Sequence, residues 1–99
     1  MGPAPVAAYG ALVRTPPRLK WGAVPEARYY NVQLYRWRPK VLSAWPHLAT
    51  LGVKRRWVYD GRRFNLRRGY YVWYVWPGFG PRSKRRYGQL LGQGTFRVG

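Results

Sequence analysis

The sequence predicts an all-β chain that folds as an antiparallel two-sheet sandwich of about seven short strands. Hydrophobic residues alternate with polar residues over short runs, and turn signals recur every ~8–12 residues. Nine Pro and twelve Gly in 99 residues are too many for a helical bundle. No amphipathic helical pattern of ten residues or more interrupts these runs.

The length predicts one domain. Six Trp and nine Tyr offer a large buried area for a chain of this size. Residues 1–10 are rich in Pro, Ala and Gly and read as a linker or flexible lead-in. The predicted domain therefore occupies residues 11–99.

The first half of the domain contains the clearest alternation. Short strands are expected at residues 11–14 and 19–21, the first ended by a Pro pair. A longer strand is expected at residues 28–37, where Tyr30, Val32 and Leu34 share one face.

The remaining strands are also predicted from hydrophobic runs and the turn residues that end them. Strands are expected at residues 41–45 and 56–59, and Asp60-Gly61 closes the second of these with a turn. Residues 47–53 are ambiguous and fit a loop. The run at 70–76 is the most β-prone, a turn is expected at 77–80, and a last strand is expected at 95–98.

These strands carry a motif that resembles fibronectin type III domains, bacterial members in particular. The pattern is Leu19-x-Trp21, Ala27-x-x-Tyr30-x-Val32, Leu66-x-x-Gly69-x-Tyr71-x-Trp73-x-Val75 and Phe96-x-Val98. It departs from the family at Arg68, where Pro is usual, and in placing Tyr71 one residue closer to Leu66. An immunoglobulin-like or small-barrel relative is the alternative.

The resemblance implies a core and a function. The implied core consists of Leu19, Trp21, Ala27, Tyr30, Val32, Leu34, Leu66, Tyr71, Trp73, Val75, Phe96 and Val98. The implied function is that of a non-catalytic module in a larger secreted or cell-envelope bacterial protein. Such a module binds neighbouring domains or another protein through its loops or one sheet face.

The outward side of the run at 70–76 is aromatic as well. Tyr70, Val72, Tyr74 and Trp76 alternate with the implied core residues and therefore face away from the core. Either Arg stems shield these side chains, or they form an exposed apolar patch of the kind that marks interfaces.

Groups suited to catalysis are scarce. The acids are only Glu26 and Asp60, the single His is His47, and there is no Cys. Both acids lie in expected turns, and His47 has no second His or Cys with which to hold a metal. The sequence therefore predicts no enzyme, no metal site and no cofactor.

The charge predicts an alternative function. Nineteen Lys and Arg against two acids give a formal charge of +17, which attracts polyanions such as nucleic acid or acidic glycans. An Arg-rich solubilising surface is the competing interpretation. No apolar run is long enough to span a membrane, and the first residues lack the pattern of a signal peptide.

The candidate binding residues lie in one expected loop. Arg82, Lys84, Arg85 and Arg86 form a basic cluster, which Phe79 and Tyr87 bracket. Arg binds phosphate or carboxylate through two parallel hydrogen bonds, and the two rings offer stacking surfaces. A mobile solvated loop is the alternative. A carbohydrate platform built on Trp45, Trp57 or Trp76 is a weaker hypothesis.

Overall fold

β-Structure dominates the computed structural model, which describes residues 11–99. The only helical element of the described residues is one 3-10 turn at Arg82–Lys84. The strands of the described chain are β1 Ala11–Val13, β2 Arg18–Lys20, β3 Tyr29–Arg36, β4 Lys40–Ala44, β5 Thr50–Gly52, β6 Arg56–Tyr59, β7 Arg62–Asn65, β8 Gly69–Phe79, β9 Arg86–Tyr87 and β10 Gly92–Val98.

Six of these strands form the main sheet. Its order is β1-β10-β8-β3-β4, and β9 adds to the far end of β8. The long strand β8 is central, because it pairs along most of its length with β3 on one side and β10 on the other. Val75 of β8, for example, lies between Val32 and Gly92.

One edge of this sheet departs from the antiparallel expectation. Strand β1 pairs with β10 in parallel, with Leu12 opposite Arg97 and Val13 opposite Val98. Parallel neighbours need a long crossover between them, and here all the intervening strands provide it. The fully antiparallel prediction is therefore wrong at this edge.

Two further sheets of two strands each contribute residues to the same core as the main sheet. They pair β2 with β5 and β6 with β7. Leu19 of β2 belongs to the buried core, and Trp57 and Phe64 of the second pair pack against it. The indole Nε1 of Trp57 also donates a hydrogen bond of 2.7 Å to the carbonyl of Val41, which ties β6 to β4.

The structure contains strands that the sequence patterns did not predict. Strands β5, β7 and β9 are additional, so the described residues form ten strands rather than about seven. Strand β7 follows directly from the Asp60-Gly61 turn, where both residues have positive φ (54° and 73°). Positive φ at both central residues is the conformation of the tightest β-hairpin turns.

The predicted turn at residues 77–80 is wrong. Strand β8 continues through Pro77 to Phe79. Pro77 has no N–H to donate, but its carbonyl still accepts a hydrogen bond from Gly88, and that of Gly78 accepts one from Arg28. The chain turns only beyond Phe79, at Gly80, where φ is 72°.

The core combines residues of the main sheet with residues of the two small sheets. Its largest fully buried side chains are Trp73, Tyr71 and Phe96, and the rings of Tyr71 and Phe96 stack with centroids 5.1 Å apart. Among the residues of the fibronectin-like pattern, Ala27, Leu66 and Val98 are only partly buried. The residues of the implied core that are fully or almost fully buried are Leu19, Trp21, Tyr30, Val32, Leu34, Tyr71, Trp73, Val75 and Phe96.

The hydroxyl of Tyr71 is anchored to the backbone four residues upstream. It donates to the carbonyl of Arg67 at 3.1 Å and accepts from the amide of Arg67 at 3.0 Å. This fixes the approach of the chain to the start of β8. A tyrosine hydroxyl bonded to the backbone a few residues upstream is also found in immunoglobulin-like sandwiches.

Candidate functional site

A concave surface lies on the outer face of the main sheet. It is an open groove of about 810 Å³ where the β8–β9 loop approaches β3, β4 and β6. The residues that line it are Asn31, Lys40, Ser43, Trp45, Tyr59, Arg82, Ser83, Arg85 and Tyr87.

The β8–β9 loop owes its shape to local backbone geometry. After Gly80, the amide of Lys84 donates to Pro81 and that of Arg85 donates to Arg82, which forms the 3-10 turn. Arg85 then adopts the left-handed conformation (φ 51°) and ends the turn. This reversal brings both Arg82 and Arg85 to the groove.

Arg82 and Trp45 form the centre of the groove. The guanidinium carbon of Arg82 lies 4.5 Å from the ring centroid of Trp45, within the range of a cation–π contact. The indole Nε1 of Trp45 donates to the hydroxyl of Tyr87 at 3.2 Å. These two contacts hold a cation, an indole and a phenol together in one fixed arrangement.

A glycine leaves room for the ring of Tyr29 beside Tyr87. Gly78 lies opposite both Tyr29 and Tyr87, and a side chain at this position would overlap the ring of Tyr29. The rings of Tyr29 and Tyr87 therefore meet edge to face, with centroids 5.9 Å apart. Tyr29 thus supports the groove from beneath Tyr87.

The basic β8–β9 loop lies close enough to Tyr29 to affect the ionisation of its hydroxyl. Burial raises the pKa of Tyr29 above its ordinary value, and the neighbouring Tyr87 raises it further. The positive charge of Arg82 acts in the opposite direction and lowers the pKa. Tyr29 is therefore a neutral, structural member of the site at ordinary pH.

The groove offers positive charge and hydrogen-bonding groups but no carboxylate. Its cations are Lys40, Arg82 and Arg85, and neither acid of the chain lines it. The side-chain oxygen of Asn31 is buried and accepts no hydrogen bond from the described residues. The arrangement suits an anionic ligand.

The structure separates the residues that the sequence grouped as a binding cluster. Arg82, Arg85 and Tyr87 line the groove, whereas Lys84 and Arg86 are exposed outside it. Phe79 is half-buried, and its ring packs near Gly88 rather than in the groove.

Sequence reasoning missed the partners that come from other strands. Asn31 enters the site from β3, Lys40 from β4 and Trp45 from the residue directly after β4. The only available signal was Trp45 itself, which the carbohydrate hypothesis had singled out. Of the other two tryptophans in that hypothesis, Trp57 packs against the core and Trp76 lies elsewhere on the outer face.

The outer face beyond the groove is aromatic and only partly shielded. Tyr70 is 53% exposed although the guanidinium of Arg97 lies 5.7 Å from its ring centroid. Trp76 and Tyr74 are half-buried and line a shallow depression of about 470 Å³. Arg stems and exposed rings therefore coexist on this face.

Other kinds of site find little support within residues 11–99. The described residues contain no group of three or more His, Cys, Asp or Glu side chains that could hold a metal ion. In the same part of the chain, no helix is long and apolar enough to cross a membrane. Comparisons with protein-family models, curated proteins and solved structures found no match for this chain.

Proposed function

We propose that this chain is a non-catalytic binding module that recognises an anionic polymer through the groove on its outer sheet face. The fold we infer for it is a fibronectin type III-like β-sandwich. The packing of two small sheets on the main sheet supports this, as does the anchored hydroxyl of Tyr71. By that resemblance, the module would serve within an extracellular or cell-envelope bacterial protein.

The observation that carries the proposal is the contact of Arg82 with Trp45 beside two further cations. A guanidinium stacked on an indole has less rotational freedom to lose when it binds an anion. Lys40 and Arg85 line the same groove, so three positive charges converge on one space without a carboxylate to neutralise them. Like charges repel, and an anionic ligand would relieve that repulsion.

The competing interpretation is a generic positive field. A chain of charge +17 attracts any polyanion at low salt, whatever the arrangement of its side chains. Recognition by the groove differs in two ways. The affinity depends on particular cations. Part of the affinity also persists at about 150 mM salt, where long-range attraction is screened.

A matched pair of triple variants separates these interpretations. One variant neutralises the groove with Lys40→Gln, Arg82→Gln and Arg85→Asn, the last chosen because Asn tolerates positive φ. The control variant carries Lys54→Gln, Arg55→Gln and Arg67→Gln, which are exposed and lie outside the groove. Both variants remove one Lys and two Arg, so the loss of formal charge is the same.

Binding to fluorescein-labelled heparin and to single-stranded DNA would be measured by anisotropy across a salt series. The groove variant should bind at least tenfold more weakly near 150 mM salt, and for single-stranded DNA its log–log salt slope should be shallower by about 2. The control should lose less than threefold. Equal losses in both variants would mean that only net charge matters, and the groove would not be a recognition site.

A further inference from the structure

The groove does not end at its cations, because it adjoins a row of aromatic side chains on the same sheet face. Asn31 of the groove lies directly opposite Trp76 in the pairing of β3 with β8. Directly opposite residues project on the same face with their Cβ atoms about 5 Å apart. The groove and Trp76 are therefore continuous.

The aromatic row continues along the sheet from Trp76. The ring centroids of Trp76 and Tyr74 are 6.1 Å apart, and those of Tyr74 and Tyr35 are 5.5 Å apart. Beyond them, Trp37 and Tyr70 pair at 6.4 Å. The row consists of Trp76, Tyr74, Tyr35, Trp37 and Tyr70.

The exposure of two rings in this row favours a bound ligand that covers them. Trp37 is 67% exposed and Tyr70 is 53% exposed, which is unusual for adjacent large rings. Arg38 lines the depression beside Trp37, and Arg97 lies over Tyr70. Cations therefore stand at both ends of the row, with the groove at one end and these two arginines at the other.

The charge decides which class of occupant fits. A second copy of the chain would bring +17 against +17 across this face, so self-association is opposed by repulsion. The occupant must supply negative charge at intervals and flat surfaces between the charges. A single-stranded nucleic acid has this composition, because phosphates alternate with bases that stack on aromatic rings.

An acidic glycan fits the same face less well. Its many hydroxyl donors need acceptors, yet no carboxylate lines the groove or the depression beside it. Of the amides on this face, Gln33 already accepts a hydrogen bond from the hydroxyl of Tyr35, and the side-chain oxygen of Asn31 is buried. Gln93, opposite Tyr74, is the exposed amide, and one amide offers few acceptors to a polyhydroxylated chain.

We propose that the groove and the aromatic row form one continuous track for single-stranded nucleic acid. Arg82, Lys40 and Arg85 contact phosphates at one end, and bases stack on Trp76 and Tyr74. This inference rests on the proposed function and deepens it, because it names the polymer and assigns a second set of contacts. Duplex DNA would bind more weakly, since its bases already stack on one another.

The test compares ligands that share phosphates but differ in bases. The probes are a labelled single-stranded 12-mer of mixed sequence, an abasic oligonucleotide of the same length, a blunt duplex and labelled heparin, all near 150 mM salt. We expect the 12-mer to bind at least tenfold more tightly than the abasic strand. Base stacking of this kind is worth roughly 5- to 100-fold in affinity per base.

The protein variants test the aromatic row directly. Trp76→Leu should weaken binding of the 12-mer about tenfold and leave the abasic strand within twofold, whereas Trp76→Phe should retain most of the affinity. Phe79→Leu is the matched control, because it removes a half-buried ring that does not line the track. Circular dichroism and thermal melting of each variant would establish that it is folded.

Each other outcome has a definite meaning. Equal binding of the 12-mer and the abasic strand, sensitive only to the groove triple variant, would overturn the nucleic-acid track but leave the anion-binding function standing. Tighter binding of heparin than of the 12-mer would also overturn the nucleic-acid track while leaving the anion-binding function standing. It would identify an acidic glycan as the ligand. No binding of any probe near 150 mM salt would overturn both proposals.

Discussion

Replacing Tyr71 by Phe isolates the contribution of one hydroxyl group to the stability of the fold. The ring of Tyr71 is fully buried and stacks on Phe96, and Phe would preserve that stack. What is lost is the pair of hydrogen bonds to the amide and carbonyl of Arg67. The substitution therefore changes hydrogen bonding while leaving the packed ring in place.

The magnitude follows from these two bonds. A typical intramolecular hydrogen bond contributes a net ~1 kcal/mol, so two bonds contribute about 2 kcal/mol. Arg67 is exposed, and water can therefore reach part of its backbone when the hydroxyl is absent. For a domain of this size, a loss of about 2 kcal/mol lowers the melting temperature by roughly 8–16 °C.

Urea denaturation followed by tryptophan fluorescence would measure this loss. The control is Tyr70→Phe, at the adjacent residue, where the side chain is half-exposed and a change within about 0.5 kcal/mol is expected. Hydrogen exchange at the amide of Arg67 should accelerate in Tyr71→Phe alone. A Tyr71→Phe variant as stable as the wild type would show that the anchor contributes nothing to the stability of the fold.

Further predictions concern close approaches to glycine and the ionisation of a buried phenol. Gly94→Ala would place a methyl group 2.9 Å from the buried indole of Trp73, so the free energy of unfolding should fall by about 1–3 kcal/mol in a urea titration. Gly78→Ala should displace the ring of Tyr29 and with it Tyr87, so heparin binding near 150 mM salt should weaken together with stability; unchanged binding would separate this support from the groove. Because the folded state raises the pKa of Tyr29, the unfolded state releases the phenolic proton first. Stability from this group should therefore be intact below pH ~10 and decline above it, and Tyr29→Phe should show a shallower decline between pH 9 and 11 in denaturation curves.

Local patterns in the chain specified the strands whose sequence alternates or whose turn is chemically marked. The face shared by Tyr30, Val32 and Leu34 is buried, and Asp60-Gly61 forms the turn expected of it. Both features depend on neighbours within a few residues. Strand β7 escaped prediction because three of its four residues are polar and exposed, so it has almost no hydrophobic alternation.

The prediction of a turn at residues 77–80 failed for a different reason. Pro and Gly usually mark turns, but here each occupies a strand position that a remote partner stabilises. Tyr29 lies across Gly78, and Gly88 donates to the carbonyl of Pro77. Such partners cannot be inferred from the residues beside the turn signal.

The sequence by itself determined that this chain is a β-rich, strongly basic protein with few groups suited to catalysis. Strand periodicity, turn chemistry and net charge are local or additive properties, so they can be read without knowledge of the fold. Only the tertiary structure decided which cations act together. Trp45 and Tyr87 are separated by 42 residues, yet they share a hydrogen bond beneath Arg82, whereas Lys84 and Arg86 in the same loop lie outside the groove. Chain reversal and strand pairing set these distances, and neither is encoded in the order of residues within the loop.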